Sequence, residues 1–205
     1  MDITVEVLKE VDVTEAWGVL NHPEVVKTST ADDTDMSVIT PERVRDAGII
    51  VIVGKFDKVI GAVWLVVPKG ENVYDAHTNI LPDFRGKVGM LATFKAINYV
   101  FTRTDAITIT TNCPKCNPAA AMLANHMGMK LCYVKDKGFV KDGVDFASDV
   151  FYLPILEWAI KNGKIYEDNA NKLNLPSIFG VCLEIFKYNP TKGAWLFNQL
   201  APIYS

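Results

Sequence analysis

No apolar run in the chain approaches the ~20 consecutive residues that a membrane-crossing helix requires. The opening Met-Asp-Ile-Thr-Val-Glu-Val has neither the basic segment nor the apolar core of a secretory leader. No block of basic residues occurs and the net charge is −3, so nothing in the composition is suited to neutralising nucleic-acid phosphates. Cysteine is scarce as well. Cys113, Cys116, Cys132 and Cys182 are too few for a disulfide scaffold and fit a reducing compartment. These absences lead to the expectation of a soluble cytoplasmic protein. There is also no internal repeat and no low-complexity segment.

What is present fits one domain with a decorated end. The 205 residues suffice to bury a real core, and 49% hydrophobic against 22% charged is an ordinary globular balance. Ile3–Val7 alternates as a half-buried strand does. Thr14 is a candidate cap for a helix through Leu20. Ser29–Asp35 reads as a polar, acidic loop. Thr40-Pro41 starts a helix that Gly48 ends. Ile49–Phe56 and Val59–Val67 form a hairpin over Asp57-Lys58, and Asn72–Leu81 is a third consecutive strand.

Then the period changes. Leu91, Phe94, Ile97, Val100 and Phe101 recur at helical spacing within 89–102. Ala106–Thr111 is a short strand, and Pro118–Met127 is a helix with Gly128 as its left-handed cap. Lys130–Val134 and Val150–Leu153 are late strands around a turn-rich connection, 135–149. Glu157–Lys161 is helical, and so are Pro176–Lys187 and Ala194–Leu200 beyond it. Meandering strands followed by strand-helix-strand-helix-strand define an α/β or α+β sandwich with a mixed sheet.

Cys113-Pro-Lys-Cys116 raises two chemical possibilities. Zinc needs about four ligands, and Cys113, Cys116, His126 and Cys132 make four. However, the intervening helix would carry His126 ~15 Å from the cysteines, which argues against the set. A thiol at a strand-to-helix turn could be redox-active through a lowered pKa. The plainer reading is two small, semi-buried residues at a turn.

Two segments carry a family likeness. His77–Leu91, containing Ile-Leu-Pro-Asp-Phe-Arg-Gly-Lys, resembles the coenzyme-binding motif of the GNAT acyltransferase superfamily. Asn117, Ala120, Leu123, Gly128 and Met129 are similar in placement to its next motif. The resemblance spans Ile3 to Leu153. It implies a GNAT-like, mostly antiparallel mixed sheet flanked by helices over 1–163; the segment 164–205 lies beyond the resemblance and reads from its own pattern as a helical C-terminal extension. The resemblance also implies acetyl-CoA as cofactor, no metal, and transfer of an acetyl group to an amine. Arg85, Gly86, Lys87, Val88, Gly89 and Met90 would hold the pyrophosphate, where helix N–H groups attract anions. Asn79, Ile80 and Leu81 would flank the thioester, and Asn117 would complete the cofactor set. His77 and Asp75, two apart on one strand face, are the candidate general base.

The chain departs from that pattern in two places. Val88 and Met90 stand where the motif has Gly and Gly or Ala. Ala124 stands where many members carry the tyrosine that protonates the departing thiolate; Tyr133 is the substitute acid to consider. The departures keep a second expectation open. The chain is also similar to GNAT-like proteins of tailed bacteriophages, and would then be a non-catalytic assembly part in host cytoplasm or virion. Its apolar 164–205 segment would either dock a protein partner or cover the core.

Overall fold

The computed structural model describes residues 1–204; Ser205, the last residue of the expected extension, lies outside them. Strand β1 (Ile3–Val7) is followed by helices α1 (Val13–Leu20), α2 (Pro23–Ser29) and α3 (Pro41–Asp46). Strands β2 (Ile50–Phe56), β3 (Val59–Gly70) and β4 (Val73–Ile80) then form a meander. Helix α4 (Lys87–Arg103), β5 (Thr108–Pro114) and α5 (Pro118–His126) follow. A long hairpin, β6 (Lys130–Lys141) and β7 (Val144–Pro154), precedes the helices α6 (Ile155–Asn162), α7 (Glu167–Asn171), α8 (Phe179–Phe186) and α9 (Pro190–Tyr204).

The seven strands lie in the order β1-β2-β3-β4-β5-β7-β6. Every neighbouring pair is antiparallel except β4 and β5. Asp57 and Lys58 both have positive φ, which matches the right-handed twist of the hairpin they close. Thr40 caps α3 through Arg43 N–H, and Gly48 and Gly128 take the left-handed conformation expected of them.

Several expected elements differ. Thr14 lies inside α1; Asp12 occupies the cap position without a side-chain bond. Residues 23–29, part of which reads as loop, form α2, with Pro23 in the first turn and the His22 ring accepting from Glu24 N–H. The connection 135–149 is mostly ladder: β6 and β7 pair down to Lys141↔Val144, with irregularities between Lys135 and Phe139. Its Lys, Asp and Gly content reads as turn because both faces of that stretch are largely solvent-exposed, so no apolar alternation marks it.

The sheet has a core on each face. On one, Ala16, Val19, Val44, Val53 and Val63 pack α1 and α3 against the meander. On the other, α4, α5 and α6 cover the sheet through Ala92, Phe101, Ala124 and Trp158. The same cluster continues into α8 and α9, where Phe179, Val181, Ile185, Leu196 and Leu200 are buried. Fully burying such side chains contributes roughly 1.5–3 kcal/mol each. Lys192 of α9 reaches in and donates from Nζ to Phe101 O at 2.6 Å and Thr104 O at 3.0 Å.

Candidate functional site

β4 and β5 run side by side for only three residue pairs, ending at Asp75↔Thr110. The last tie is a side chain, Thr111 Oγ1 donating to Ala76 O at 2.9 Å. Beyond it the strands splay. β4 stays paired with β3 through Ile80, and β5 with β7 through Pro114, so the facing edges are left without ladder partners. Strand alternation directs the backbone groups of Thr78 into this gap. Ile80 O also faces it, but accepts from Arg85 Nε at 3.1 Å.

The gap opens a cavity of about 860 Å³ that passes through the sheet. On the α1–α3 side its walls include Val25, Met36, Ile39, Leu65 and Phe139; on the α4–α5 side, Gly89, Thr93, Ile97, Ala120 and Ala124.

At the mouth of the gap stands the N-terminus of α4. Gly86, at φ +74°, precedes the helix, and no side chain caps it. The first intrahelical bond is Met90 N–H to Gly86 O at 2.9 Å, so the N–H groups of Lys87, Val88 and Gly89 have no helical partner. Gly89 is needed for proximity: a Cβ there would lie 2.7 Å from Phe84 O. The motif glycines missing at 88 and 90 are therefore answered by a different pair, Gly86 for conformation and Gly89 for close packing. Val88 turns into the α4 core cluster, so its side chain is directed inward.

Asp75 and His77 share the strand face opposite α4. His77 Nε2 lies 3.4 Å from Asp75 Oδ2, and Thr110 Oγ1 donates to Asp75 Oδ1 at 3.1 Å. Burial pushes the Asp75 carboxyl upward, but His77 and Thr110 outweigh it and hold it below the usual range. The carboxylate is thus anionic and orients a half-exposed imidazole that lines the cavity.

The remaining expected residues divide. Asn79, Ile80, Arg85, Gly86, Gly89, Met90 and Asn117 line the cavity, whereas Leu81, Lys87 and Val88 do not. Two of them also make bonds within the chain. Arg85 donates to Ile80 O and to Glu24 O at 3.3 Å, so it braces the loop against α2. Asn117 caps α5 through Ala120 N–H and donates from Nδ2 to Thr28 O at 2.9 Å, a bridge across the gap. Leu81 packs on the α1 side. Tyr133 sits on β6, 56% exposed and outside the cavity wall, so its phenol is not placed to act as the acid. Ala124 is buried in the wall where that phenol is expected.

Cys113 belongs to β5, and burial, then Asp149, pushes its thiol up to about 11, the reverse of an activated thiol. All four cysteines are free. Among the described residues no group of three or more His, Cys, Asp or Glu could hold a metal ion. No helix among them is long and apolar enough to cross a membrane. Sequence reading missed Thr78 and Thr110; only their pairing across strands brings them to the gap.

A mixed sheet parted between two parallel strands, beside an uncapped helix N-terminus, is the architecture of the GNAT N-acetyltransferases, and solved structures agree. Spermidine N-acetyltransferase from Vibrio cholerae, solved with CoA and spermine, superposes with a TM-score of 0.66 at 15% identity, covering 76% of this chain and 97% of its own. YncA from Salmonella typhimurium, solved with its cofactor acetyl-CoA, gives 0.63 at 17%, covering 76% and 95%. Ribosomal-protein-S5-alanine acetyltransferase from Vibrio fischeri gives 0.64 at 11%, covering 77% and 96%. At these identities the likeness shows the fold: this chain has the GNAT fold. No protein-family model matches the chain, and no curated protein matches it significantly in sequence.

Proposed function

We propose that the chain is an N-acyltransferase that moves an acyl group from a coenzyme A thioester to an amine. One observation carries this reading: the unpaired edge of β4 and the start of α4, at Gly86 and Gly89, border the same through-sheet cavity. Coenzyme A is the cofactor that fits. Its pyrophosphate matches Lys87, Val88 and Gly89 N–H at the positive end of a helix dipole, and its amide-bearing arm matches an open strand edge. The thioester supplies an activated acyl carbon and a thiol leaving group.

The protein's own residues supply the rest. His77, oriented by the Asp75 carboxylate, takes the proton that the attacking amine must lose, directly or through water. The N–C bond forms as the C–S bond breaks, and the thiolate is protonated by solvent, since Ala124 has no proton to give. Thr78 N–H, on the open edge, is positioned to donate to the carbonyl oxygen as charge builds on it.

Calorimetry with acetyl-CoA tests the binding half; absence of heat at millimolar ligand would defeat the proposal. Thiol release across a panel of amines tests the transfer half. His77→Ala is expected to lower kcat/KM by about 100-fold while leaving the coenzyme dissociation constant unchanged. The alternative is a fold retained without catalysis, as an assembly part of a phage particle. Ala124 and the missing phenol favour loss of catalysis, but no feature of the fold or of the three neighbours bears on a phage particle. Coenzyme binding without turnover on any amine would favour the non-catalytic reading.

A further inference from the structure

Asp75 and His77 face the α1–α3 side of the sheet, so an amine reaching a thioester beside His77 arrives from that side. Leu65 and Val67 are the register partners of His77 and Asp75, and directly paired residues project to the same face. The imidazole therefore has an aliphatic floor beside it. Met36, Val38 and Ile39 line the same half of the cavity. Trp17 Nε1 donates to Ile39 O at 2.7 Å and fastens this segment to α1. All five apolar side chains keep accessible surface: Val38 is 41% exposed, and Met36, Ile39, Leu65 and Val67 are half-buried. They form an apolar hollow open to an entering molecule.

The charge of the wall is one-sided. Among the described residues the cavity wall holds Arg43, Arg85, His77 and His126, and no Asp or Glu. Arg43, exposed on α3, lies on the side of the hollow. The acidic residues of the nearby loop are outside the wall and engaged elsewhere. Asp32 accepts from Gly143 N–H at 2.9 Å, and Asp35 accepts from Ser37 N–H at 2.9 Å. The hydroxyls of Thr28 and Ser29 are uncharged and donate to Glu24 O and Val25 O. The anion next to the site is Asp75, beside His77 and under the influence of Lys69. One ammonium group is thus matched at the reacting end, and no carboxylate along the hollow compensates a second. A cation taken from water into such a lining loses its hydration without gaining a partner.

We infer that the acceptor is a primary amine on an apolar body that carries no second positive charge. The inference rests on the N-acyltransferase reading and names the acceptor class of that site. The amine loses its proton to the His77 imidazole that Asp75 orients, while its body lies against Leu65, Val67 and Ile39. The reaction is unchanged: the N–C bond forms, the C–S bond breaks, and the acyl group leaves on the amine.

The test titrates amines calorimetrically into the full chain saturated with free CoA, which has no acyl group to lose, and follows thiol release from acetyl-CoA in parallel. From propylamine to hexylamine, affinity is expected to rise by about fourfold per buried methylene. 1,6-Diaminohexane, of the same length, is expected to bind at least about tenfold more weakly than hexylamine, and spermidine more weakly still. Affinity that is flat along the alkyl series, absent for every amine, or as high for the diamine would overturn the inference and leave coenzyme binding intact. The expected selectivity without thiol release would keep the amine site and remove the transfer; failure of CoA to bind would remove both. Val38→Glu places a carboxylate in the lining at an exposed position. It is expected to melt as the wild type does and to narrow the gap between hexylamine and 1,6-diaminohexane by about threefold. Arg43→Gln is expected to narrow it in the same direction. An unchanged ratio in either variant would overturn the part assigned to the charge of that wall.

Discussion

The two ends of α4 are treated in opposite ways. At its N-terminus, Gly86 offers no cap and three backbone N–H groups, that of Gly89 in the cavity wall, have no helical partner. At its C-terminus the chain supplies partners. Lys192 donates to Phe101 O and Thr104 O, the Thr102 and Thr104 hydroxyls donate to Asn98 O and Val100 O, and Arg103 stacks 3.5 Å from the Tyr188 ring centre. Both ends meet the same rule, that unpaired backbone groups are costly. The C-terminal end is satisfied by the chain itself, through the segment beyond residue 164. The N-terminal end is left open. The contrast separates stability from function along one helix, and each end can be broken alone.

Removing the segment from Lys164 onward should have the largest effect. It would uncover the faces now buried by Phe179, Val181, Ile185, Leu196 and Leu200. The expected outcome is an insoluble or molten product in sedimentation and near-UV circular dichroism. A folded, soluble truncation would mean that the extension only docks. Lys192→Ala is a smaller insult to the same end. It strands two carbonyls and leaves a hole, so chemical denaturation should show a loss of about 2–3 kcal/mol, with coenzyme affinity unaltered.

Lys192 also makes stability depend on pH. Burial pushes its ammonium down to about 8, below its unfolded value of 10.5. Between those values the unfolded chain holds the extra proton, so stability should rise as pH increases from about 8 towards 10.5. The Lys192→Ala variant should lose that rise; an identical slope in both proteins would assign it to other groups. At the opposite end, Gly86→Ala meets no neighbouring atom but must hold φ +74°. It should cost about 1–3 kcal/mol and weaken coenzyme binding, the reverse of the Lys192 pattern.

Much of this plan can be read from residue order alone, for physical reasons. Asp57-Lys58 between two β-branched runs, Thr40-Pro41 before an amphipathic turn, and Gly128 after an alanine-rich helix are local signals acting over a few residues. They have the outcomes expected of them. Asp75 and His77 also meet as strand periodicity requires. What was not legible depends on distant partners. Arg85 reads as a phosphate ligand, and its bonds to Ile80 O and Glu24 O, which engage two of its five N–H donors, do not show in sequence. Asn117 reads as a cofactor contact until Thr28 takes its amide. The outer half of the β6–β7 hairpin carries no alternation because almost none of β6 before Phe139 is buried.

The strap at residues 28–32 has a consequence for the order in which the molecule assembles. Thr28 O accepts from Asn117, 89 positions away, while Thr30 O and Asp32 are tied to Lys141 and Gly143, 111 positions away. Contacts that close such long loops form late and contribute little until the sheet between them is complete. The wall over the α1–α3 side of the cavity is therefore expected to be among the last regions to gain protection in pulse-labelling hydrogen exchange. In the folded protein it is expected to be among the first to open. An acceptor amine would then enter through the part of the structure that folding finishes last.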